Sequence, residues 1–308
     1  MNNLKDLSFL IYGLGLTGKS VVNFFNKNRF KNYNVWDDKN KSFYNKKRPI
    51  NLNKALKETN YIILSPGVSL NQSKNKKQLI RYKNKIITDI DLFYLFHKDF
   101  KSIFVTGTNG KSTTCKIINH ILKKNKIKTL LGGNIGTPIL SLNPKKNTYL
   151  IVEASSFQLA YSKFIKPDYA LLLNITNDHI DWHGSMTNYT NSKFKIFKNQ
   201  KQNHYSLLNE QLKSQYKKRK LSGKLIIPKF YLYKKLKAMI ENKYLNLKIN
   251  DENMSFVYEL SKLFKISQKS FRTCLASFKG LPHRYEIFLK KKNCIFINDS
   301  KSTTFQST

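Results

Sequence analysis

Short apolar runs alternate with longer amphipathic stretches through roughly the first 180 residues of the chain. The run at residues 7–12 ends in a glycine-rich turn, and a helical pattern follows at 19–28. Further strands are predicted just before Asp37 and at 61–64, 86–88, 102–106, 149–152 and 169–174, with a helix at 112–124. Strands that alternate with helices form mostly parallel sheets, so the pattern predicts an α/β fold.

The pattern is weaker in the rest of the chain. Residues 154–158 are interpreted as a polar loop, and a helical stretch is predicted at 189–197. Residues 200–250 are rich in lysine and predict only a solvated globular surface. A last strand is predicted at 294–297, shortly before the sequence ends at Thr308.

The composition is typical of a globular protein, with 308 residues and 40% hydrophobic positions. This length suggests two domains and part of a third. No apolar run of about 18 residues could form a membrane-spanning helix, and the first residues lack the features of a secretory signal. Cys115, Cys274 and Cys294 are scattered, which argues against a zinc site or a disulfide framework. We therefore expect a cytoplasmic protein without membrane insertion.

The charge is strongly positive, at +38 from 56 basic and 18 acidic residues. One interpretation is nucleic-acid binding, and the other is a biased amino-acid supply, since Lys, Asn and Ile are abundant while Gly and Ala are sparse. The lysines form no single block and no aromatic-rich RNA-binding motif accompanies them, so we favour the second interpretation and expect no specific nucleic-acid partner. Either way, the charge attracts anionic substrates.

The strongest chemical motif follows the strand predicted at 102–106 and opens a helix. It consists of Gly107, Thr108, Asn109, Gly110, Lys111, Ser112 and Thr113. Glycines let backbone N–H groups face phosphate oxygens, and the helix N-terminus adds positive charge. Lys111 can span the terminal phosphates and Ser112 can ligate Mg²⁺. The first Gly of the general Walker A spacing would fall at position 105, which is Val, so the loop has the short Gly-x-x-Gly-Lys-Ser form.

A second glycine motif lies near the N-terminus. Gly13, Gly15 and Gly18 have the Gly-x-Gly-x-x-Gly spacing, and Asp37 follows about 20 residues later. This combination is typical of a nucleotide-binding turn. A purely structural tight turn in a Rossmann-like unit explains it equally well.

Acidic residues and histidines stand at the carboxyl ends of two predicted strands. Glu153 follows 149–152, where a carboxylate beside a phosphate loop commonly holds Mg²⁺. Asp178, His179, Asp181 and His183 follow 169–174 and could bind a metal, because sites in α/β proteins form at this edge. We favour a functional role for His179 and leave the role of His183 open.

The remaining candidate site residues indicate less about function when each is considered alone. Lys193 is, from its composition alone, a solvated lysine on a helix. Arg284 lies in a Leu-Pro-His-Arg motif, and Asp299 and Lys301 lie in Asn-Asp-Ser-Lys. These side chains could contact anionic groups of a ligand, although each alone fits a structural ion pair better.

Together these motifs resemble the Mur ligase superfamily. The resemblance rests on the phosphate loop, Glu153-Ala-Ser-Ser-Phe-Gln and Asp178-His179-x-Asp-x-His183-Gly. It runs from residue 7 to the end and is weakest over 200–250. Further motifs are similar to the branch that adds D-glutamate, namely those at 13–18, 65–67 (Ser-Pro-Gly), 132–136 (Gly-Gly-Asn-Ile-Gly), 280–284 and 298–301.

The resemblance implies an ATP-dependent, Mg²⁺-dependent amide ligase of peptidoglycan precursor synthesis. Its substrates would be UDP-N-acetylmuramoyl-L-alanine and D-glutamate, joined through an acyl phosphate by a cytoplasmic monomer. It also implies a Rossmann-like UDP-binding domain at 1–97, a central P-loop ATPase-type domain at 98–281, and the beginning of a Rossmann-like ligase domain at 282–308.

The resemblance also assigns roles to individual residues. The UDP-sugar would contact Leu16, Thr17, Asp37, Asn134 and His179. ATP would contact residues 107–113, Asn253, Arg284 and Asp299. Magnesium would be held by Ser112, Glu153, His179 and Lys193, the last as a carbamate that replaces a repelling ammonium by an anionic ligand. The catalytic residues would be Lys111, His179, Lys193 and Lys301, and Thr303 would approach D-glutamate.

Two departures from the family pattern change these expectations. Phe256 stands where the family often has a second Asn after Asn253, which weakens the adenine assignment. The C-terminal domain of the family continues for roughly a hundred residues more. We therefore expect a truncated chain that binds the UDP-sugar but turns over poorly.

Alternative functions remain at this point. Another Mur-type ligase or a folylpolyglutamate synthase would share the phosphate loop, although the latter would not need the first 97 residues. A basic P-loop NTPase acting on nucleic acid is the alternative from a different class.

Overall fold

The computed structural model describes residues 4–39, 45–240, 242, 244–245, 248–284, 286–291 and 294–300. Two parallel sheets and an antiparallel hairpin follow one another along these residues. Helices cover both parallel sheets, so the predicted α/β fold is confirmed. Within the described residues, no helix is both long enough and apolar enough to cross a membrane.

The N-terminal sheet has four parallel strands in the order β2-β1-β3-β4. These strands are β1 (Phe9–Tyr12), β2 (Tyr33–Trp36), β3 (Tyr61–Leu64) and β4 (Ile86–Ile87). The helices of this unit are α1 (Leu16–Lys27), α2 (Leu52–Glu58), α3 (Lys76–Arg81) and α4 (Asp89–Phe96). All four residues of β1 are buried, as expected for a strand that helices cover on both faces. The predicted strands of this unit are confirmed to within two residues.

The second sheet has six parallel strands in the order β10-β9-β8-β5-β7-β6. They are β5 (Lys101–Thr106), β6 (Thr129–Gly133), β7 (Tyr149–Glu153), β8 (Tyr169–Leu172), β9 (Tyr205–Leu208) and β10 (Lys224–Ile226). The strand β5 lies at the centre, where Ile103 pairs with Ile151 of β7 and with Tyr169 of β8. The carboxyl ends of β5, β7 and β8 therefore meet at one edge of the sheet.

The helices of the second unit connect these strands and pack against the sheet. They are α5 (Lys111–Lys124), α6 (Ser156–Tyr161), α7 (Ile180–His183), α8 (Met186–Phe194), α9 (Lys213–Lys218), α10 (Phe230–Lys237), α11 (Lys248–Leu263) and α12 (Gln268–Ala276). A core of buried apolar side chains from α5, α11 and α12 covers one face of the central strands.

Two expectations about this unit are wrong. Residues 154–158 are not a polar loop, because α6 begins there. The Ser155 side chain accepts the backbone N–H of Gln158, and the Gln158 side chain accepts that of Ser155, which forms a capping box. Residues 200–250 are not only solvated surface, because they supply β9 and β10. These strands are short, so their apolar residues stand out poorly among the lysines.

A two-stranded antiparallel hairpin ends the described part of the chain. Its strands are β11 (Glu286–Lys291) and β12 (Cys294–Asn298), which confirms the strand predicted at 294–297. Its large apolar side chains are exposed, and Phe288 reaches 63% exposure.

Two buried carboxylates of α4 lie where the N-terminal unit meets the second unit. Asp91 Oδ1 accepts the backbone N–H groups of Lys163 and Phe164, at 2.9 and 2.7 Å. Asp89 is also buried, and its Oδ1 has no hydrogen-bond partner among the described residues. Burial raises the pKa of Asp89 to about 6. Folding therefore favours the protonated form of this carboxyl group.

The variant Asp89→Asn tests that effect of burial. Because the folded pKa is raised from 3.8 to about 6, wild-type stability should fall as the pH rises through that interval and then stay level. A neutral side chain of the same shape should remove this loss and stabilise the protein at pH 7.5 by up to about 3 kcal/mol, since one pKa unit corresponds to about 1.4 kcal/mol. Urea denaturation across pH 4–8 measures the difference.

The exposed Asp6 provides the control variant, Asp6→Asn, which should leave the pH profile unchanged. A profile of Asp89→Asn that parallels the wild type would contradict the assignment.

Candidate active site

The predicted phosphate loop joins the central strand β5 to the helix α5. Gly110 adopts a left-handed conformation with a φ of 81° and precedes the first residue of α5. A Cβ atom at this position would lie 2.1 Å from Nδ2 of Asn253. Glycine is therefore required both by the backbone conformation and by the close approach of α11.

Polar groups of the chain that follows β8, together with a tyrosine of α8, hold the N-terminal part of this loop. The backbone N–H of Asn109 donates to Oδ1 of Asn174, which follows β8, at 2.8 Å. The hydroxyl of Thr108 accepts the backbone N–H of Thr176 at 2.9 Å and lies 3.0 Å from the hydroxyl of Tyr189. Sequence reasoning missed these supporting roles. The position of Asn174 just after a strand is the one signal that could have revealed its role.

Glu153 lies beside the first turn of α5. Its Oε2 accepts the hydroxyl of Ser112 at 2.8 Å, and its Oε1 accepts Nδ2 of Asn134 at 2.9 Å. The side chain is only 1% exposed. The parallel pairing of β5 with β7 produces this contact, since it places Val105 opposite Glu153. A buried carboxylate and a serine hydroxyl thus offer hard oxygen atoms of the kind that Mg²⁺ prefers.

Two lysines donate to the same backbone carbonyl of the loop. The Nζ atoms of Lys111 and Lys193 lie 2.9 and 2.7 Å from the oxygen of Gly107. Lys193 is 1% exposed, so the expectation of a solvated helix lysine is wrong. Burial, and then repulsion by Lys111, hold the pKa of Lys193 well below its usual value. Burial also lowers the pKa of Lys111, while the charge of Glu153 opposes that shift.

His179 and His183 bound the short helix α7 and differ in their surroundings. The ring of His179 is half-exposed, lies 3.3 Å from Oδ1 of Asp178 and packs on Phe157 at 4.7 Å between ring centroids. His183 is buried and pairs with the hydroxyl of Ser156 at 3.0 Å. Burial lowers the pKa of His183 to about 4. His183 is therefore a neutral partner of α6.

The positions predicted for adenine lie on the far side of the loop. Asn253 is buried against Gly110, and its Oδ1 has no hydrogen-bond partner among the described residues. The hydroxyl of Tyr244, which was not predicted, lies 3.4 Å from that of Thr113. Phe256 stands where the family often has a second Asn. Its side chain is buried in the apolar core, so it cannot supply the polar contact of that Asn.

The C-terminal candidates are only partly described. The charge of Arg284 contributes, after burial, to the lowered pKa of Lys111, so it lies within electrostatic reach of the loop. Arg284 and Asp299 both act on the pKa of Tyr244, which burial raises. Lys301 and Thr303 lie outside the described residues.

The N-terminal glycine turn forms a separate polar edge. Oδ2 of Asp37 accepts the backbone N–H of Leu14 at 2.6 Å. Leu16, at the start of α1, is 89% exposed, and Thr17 beside it is half-buried. A Cβ atom at Gly18 would meet the carbonyl oxygen of Gly13 at 1.9 Å, so this glycine has a structural role in the turn.

The structure thus brings together the phosphate loop, Ser112, Glu153, Asn134 and Lys193. His179, at the start of α7, packs on Phe157 of α6, the helix that directly follows β7, and no contact between His179 and Glu153 is found among the described residues. Within that part of the chain, no three His, Cys, Asp or Glu side chains come together as a metal cluster. Any metal site here would therefore need ligands of other types as well.

Comparison with known proteins agrees with the fold and the phosphate loop described above. The Mur ligase middle domain matches residues 105–273. The chain belongs to the Mur ligases, which are ATP-dependent, ADP-forming amide ligases. Two relatives, from Buchnera aphidicola (subsp. Schizaphis graminum, strain Sg) and Rickettsia prowazekii (strain Madrid E), are 36% and 34% identical. The alignments cover 99% and 98% of this chain, and 74% and 73% of the relatives. Both are UDP-N-acetylmuramoylalanine–D-glutamate ligases, and this chain belongs to that branch of the family.

Solved structures show the same fold at lower identity. The UDP-N-acetylmuramate:L-alanyl-gamma-D-glutamyl-meso-diaminopimelate ligase from Neisseria meningitides has a TM-score of 0.54 at 13% identity, covering 89% of this chain and 99% of that one. The MurF ligase from Thermotoga maritima in complex with ADP has a TM-score of 0.52 at 16% identity, covering 97% and 72%. The family match and the identity to the two relatives favour the ligase function over the nucleic-acid alternative.

The variant Gly110→Ala tests the geometry of the phosphate loop. It should destabilise the protein by at least about 1 kcal/mol, because alanine is strained at positive φ and its Cβ would displace the buried Asn253. Chemical denaturation measures the change. Gly15→Ala is the matched control, since nothing lies within 4 Å of its added Cβ and its φ is −66°. Equal stability of the two variants would contradict this account.

Proposed function

We propose that this chain binds ATP and UDP-N-acetylmuramoyl-L-alanine for the ligation of D-glutamate through an acyl phosphate. The proposal rests above all on one contact, the hydrogen bond between Ser112 and the buried Glu153 at the mouth of the phosphate loop. This contact joins a phosphate-binding turn to a carboxylate in a parallel sheet. Family membership and the names of the relatives support the substrates.

The phosphates of ATP would bind at the N-terminus of α5. Backbone N–H groups of residues 107–113 and the helix dipole face this position. The ammonium group of Lys111 would exchange the carbonyls of Gly107 and Thr108 for phosphate oxygens, a contact that a charge makes stronger. On the same reasoning, Asn253 would border the adenine, while Arg284 and Asp299 would lie near the rest of the nucleotide.

The donor atoms near Ser112 fit a magnesium ion when a carbamate is included. Ser112 and Glu153 supply adjacent oxygen atoms, and His179 would supply a nitrogen from α7. Lys193 as an ammonium would repel a cation, whereas the lowered pKa leaves a neutral amine that can add CO₂ and become anionic. Magnesium, when bound, would neutralise charge on the phosphates.

The reaction then needs no protein nucleophile. A carboxylate oxygen of the UDP-sugar substrate attacks the γ-phosphorus, and the bond to ADP breaks. The amine of D-glutamate attacks the carbonyl of the acyl phosphate, and phosphate leaves as the amine loses a proton. Both reactants of the first step are anions, so the role of Lys111 and the loop amides is to hold them together and stabilise charge in the transition state.

The UDP-sugar would bind between the two sheets. Leu16, Thr17 and Asp37 at the N-terminal turn would contact the uridine nucleotide, and Asn134 beside Glu153 would contact the sugar diphosphate. Lys301 and Thr303 would approach the reacting phosphate and D-glutamate. We assign UDP binding to residues 1–97, ATP binding to 98–281 and the beginning of the ligase domain to 282–308, in a monomer that acts in the cytoplasm.

The variant Lys111→Ala tests whether the phosphate loop is a separate ATP site. ATP affinity should fall by at least about tenfold, because a hydrogen bond to a charged group contributes about 1.5–3 kcal/mol. The affinity for UDP-N-acetylmuramoyl-L-alanine should stay within about twofold of the wild type, since Lys111 lies outside its proposed site. Isothermal titration calorimetry measures both.

The control for this test is Lys116→Ala, an exposed lysine on the same helix, which should bind ATP as the wild type does. Equal losses for ATP and for the UDP-sugar in Lys111→Ala would argue against two separate sites.

The carbamate of Lys193 can be observed directly. Protein equilibrated with ¹³C-bicarbonate should show a carbamate carbonyl resonance in its NMR spectrum, because the lowered pKa increases the fraction of neutral amine that can react with CO₂. The resonance should be missing from Lys193→Met and present in Lys195→Met, which removes a neighbouring lysine. A resonance that persists in Lys193→Met would show that another amine is modified.

A further inference from the structure

The helix α7 is a single turn that carries His179 at its N-terminal end. It spans only Ile180–His183, and the residues that flank it, His179 and Gly184, are both left-handed, with φ of 53° and 80°. Such a short helix cannot satisfy the carbonyl groups of its own last residues. The orientation of α7, and with it that of His179, must therefore be fixed from outside the helix.

Nδ2 of Asn188 in α8 donates to the last carbonyl oxygen of α7, that of His183, at 3.0 Å. Side chains of the N-terminal unit supply the donors for the two carbonyl groups before it. The hydroxyl of Ser69 donates to the carbonyl oxygen of Trp182 at 3.0 Å, and Nδ2 of Asn71 donates to the same oxygen at 3.4 Å. Nε2 of Gln72 donates to the carbonyl oxygen of Asp181 at 3.2 Å. Ser69 is buried at this contact, whereas Gln72 lies at its exposed rim. These three bonds join two units more than a hundred residues apart in sequence.

The same segment packs against the glycine turn of the first unit. Its first residue, Ser65, donates its hydroxyl to the carbonyl oxygen of Gly13 at 2.6 Å. The side chain of Val68 comes so close that a Cβ atom on Gly13 would lie 2.8 Å from it. The segment 65–72 thus runs from the proposed uridine-binding turn to α7 without a gap.

The second unit holds the opposite side of α7. Phe157 of α6 packs on the rings of both His179 and Trp182, with centroids 4.7 and 4.8 Å apart. Tyr161 of the same helix accepts the backbone N–H of Leu70 at 3.2 Å. The helix α7 therefore lies between α6 and the segment 65–72, and a shift of that segment would act directly on the carbonyl groups of α7.

We propose that Ser69, with Asn71 and Gln72, are positioning residues that couple occupation of the Gly13–Gly18 turn to the placement of His179 beside the ATP site. This inference rests on the proposed function for its two ligands. A ligand that restrains the glycine turn also restrains the segment 65–72, and through it α7. Because linkage is reciprocal, ATP must strengthen UDP-sugar binding by the same factor by which the UDP-sugar strengthens ATP binding.

Calorimetric titration of the chain tests this coupling in the presence of Mg²⁺. The ligands are UDP-N-acetylmuramoyl-L-alanine and the β,γ-imido analogue of ATP, each titrated alone and with the other saturating. In the wild type, each ligand should strengthen the other by at least about fivefold. Ser69→Ala and Gln72→Ala should reduce this factor to below about twofold while leaving each affinity measured alone within about twofold.

Matched variants distinguish a loss of coupling between the two ligands from a general loss of stability. Ser8→Ala also removes a hydroxyl that donates to a backbone carbonyl, that of Glu58, but it lies within the N-terminal unit and should retain the coupling. Ser69→Thr keeps the hydroxyl donor and should therefore retain the coupling between the two ligands. Gln72 is exposed, so its truncation tests the inference even if Ser69→Ala folds poorly.

The outcomes are distinct. Wild-type coupling that survives in both Ser69→Ala and Gln72→Ala would overturn the inference, as would a wild type that binds both ligands independently. A wild type that binds neither ligand would overturn the proposed function itself, and the inference with it.

Discussion

The structure depends on the parallel pairing of β5 with β7. This register sets Val105 opposite Glu153, so that the chain leaves β5 as a phosphate-binding turn beside the carboxylate that ends β7. The hydrogen bond from Ser112 to Glu153 closes the arrangement. Because side chains alternate between the faces of a strand, a slip of one residue would send Glu153 to the opposite face and separate the two groups. The same slip would expose the buried apolar residues of both strands, which makes it unfavourable. The packing of the core therefore fixes the geometry of the site.

Around that pairing, two cationic side chains share one carbonyl oxygen. Two ammonium groups on Gly107 would repel each other, and burial removes the solvent that could screen them. Burial lowers the pKa of both lysines, and that of Lys193 is held well below its usual value, whereas the charge of Glu153 opposes the shift at Lys111. A chain of high positive charge thus contains, beside its phosphate loop, a buried lysine whose pKa is held well below its usual value. Local burial, not the total charge, decides the chemistry of the site.

Much of this could be predicted from the sequence, and the rest was missed for physical reasons. The phosphate loop was predictable because glycines, lysine and serine follow a strand at fixed spacing. Glu153 was predictable because a strand ends there. The burial of Lys193 was not, since its own helix has an ordinary polar composition and only the packing of α8 against the loop encloses it. The capping box of α6 resembled a loop because its polar side chains satisfy backbone groups. The contacts of Ser69 and Gln72 with α7 join segments that are distant in sequence, so no local sequence pattern could predict them.

The order of strands in the second sheet has a consequence for how this sequence can change. Most functional groups lie at the ends of β5 and its two neighbours, and Asn134 follows the edge strand β6, whereas β10 forms the opposite edge of the sheet. Lys224 of β10 is exposed, while Ile103 and Phe104 of β5 are fully buried. Lysine and asparagine can therefore accumulate at the periphery with little effect on the reaction centre. The central position of β5 in the sheet is thus compatible with a lysine-rich sequence at the exposed edge formed by β10.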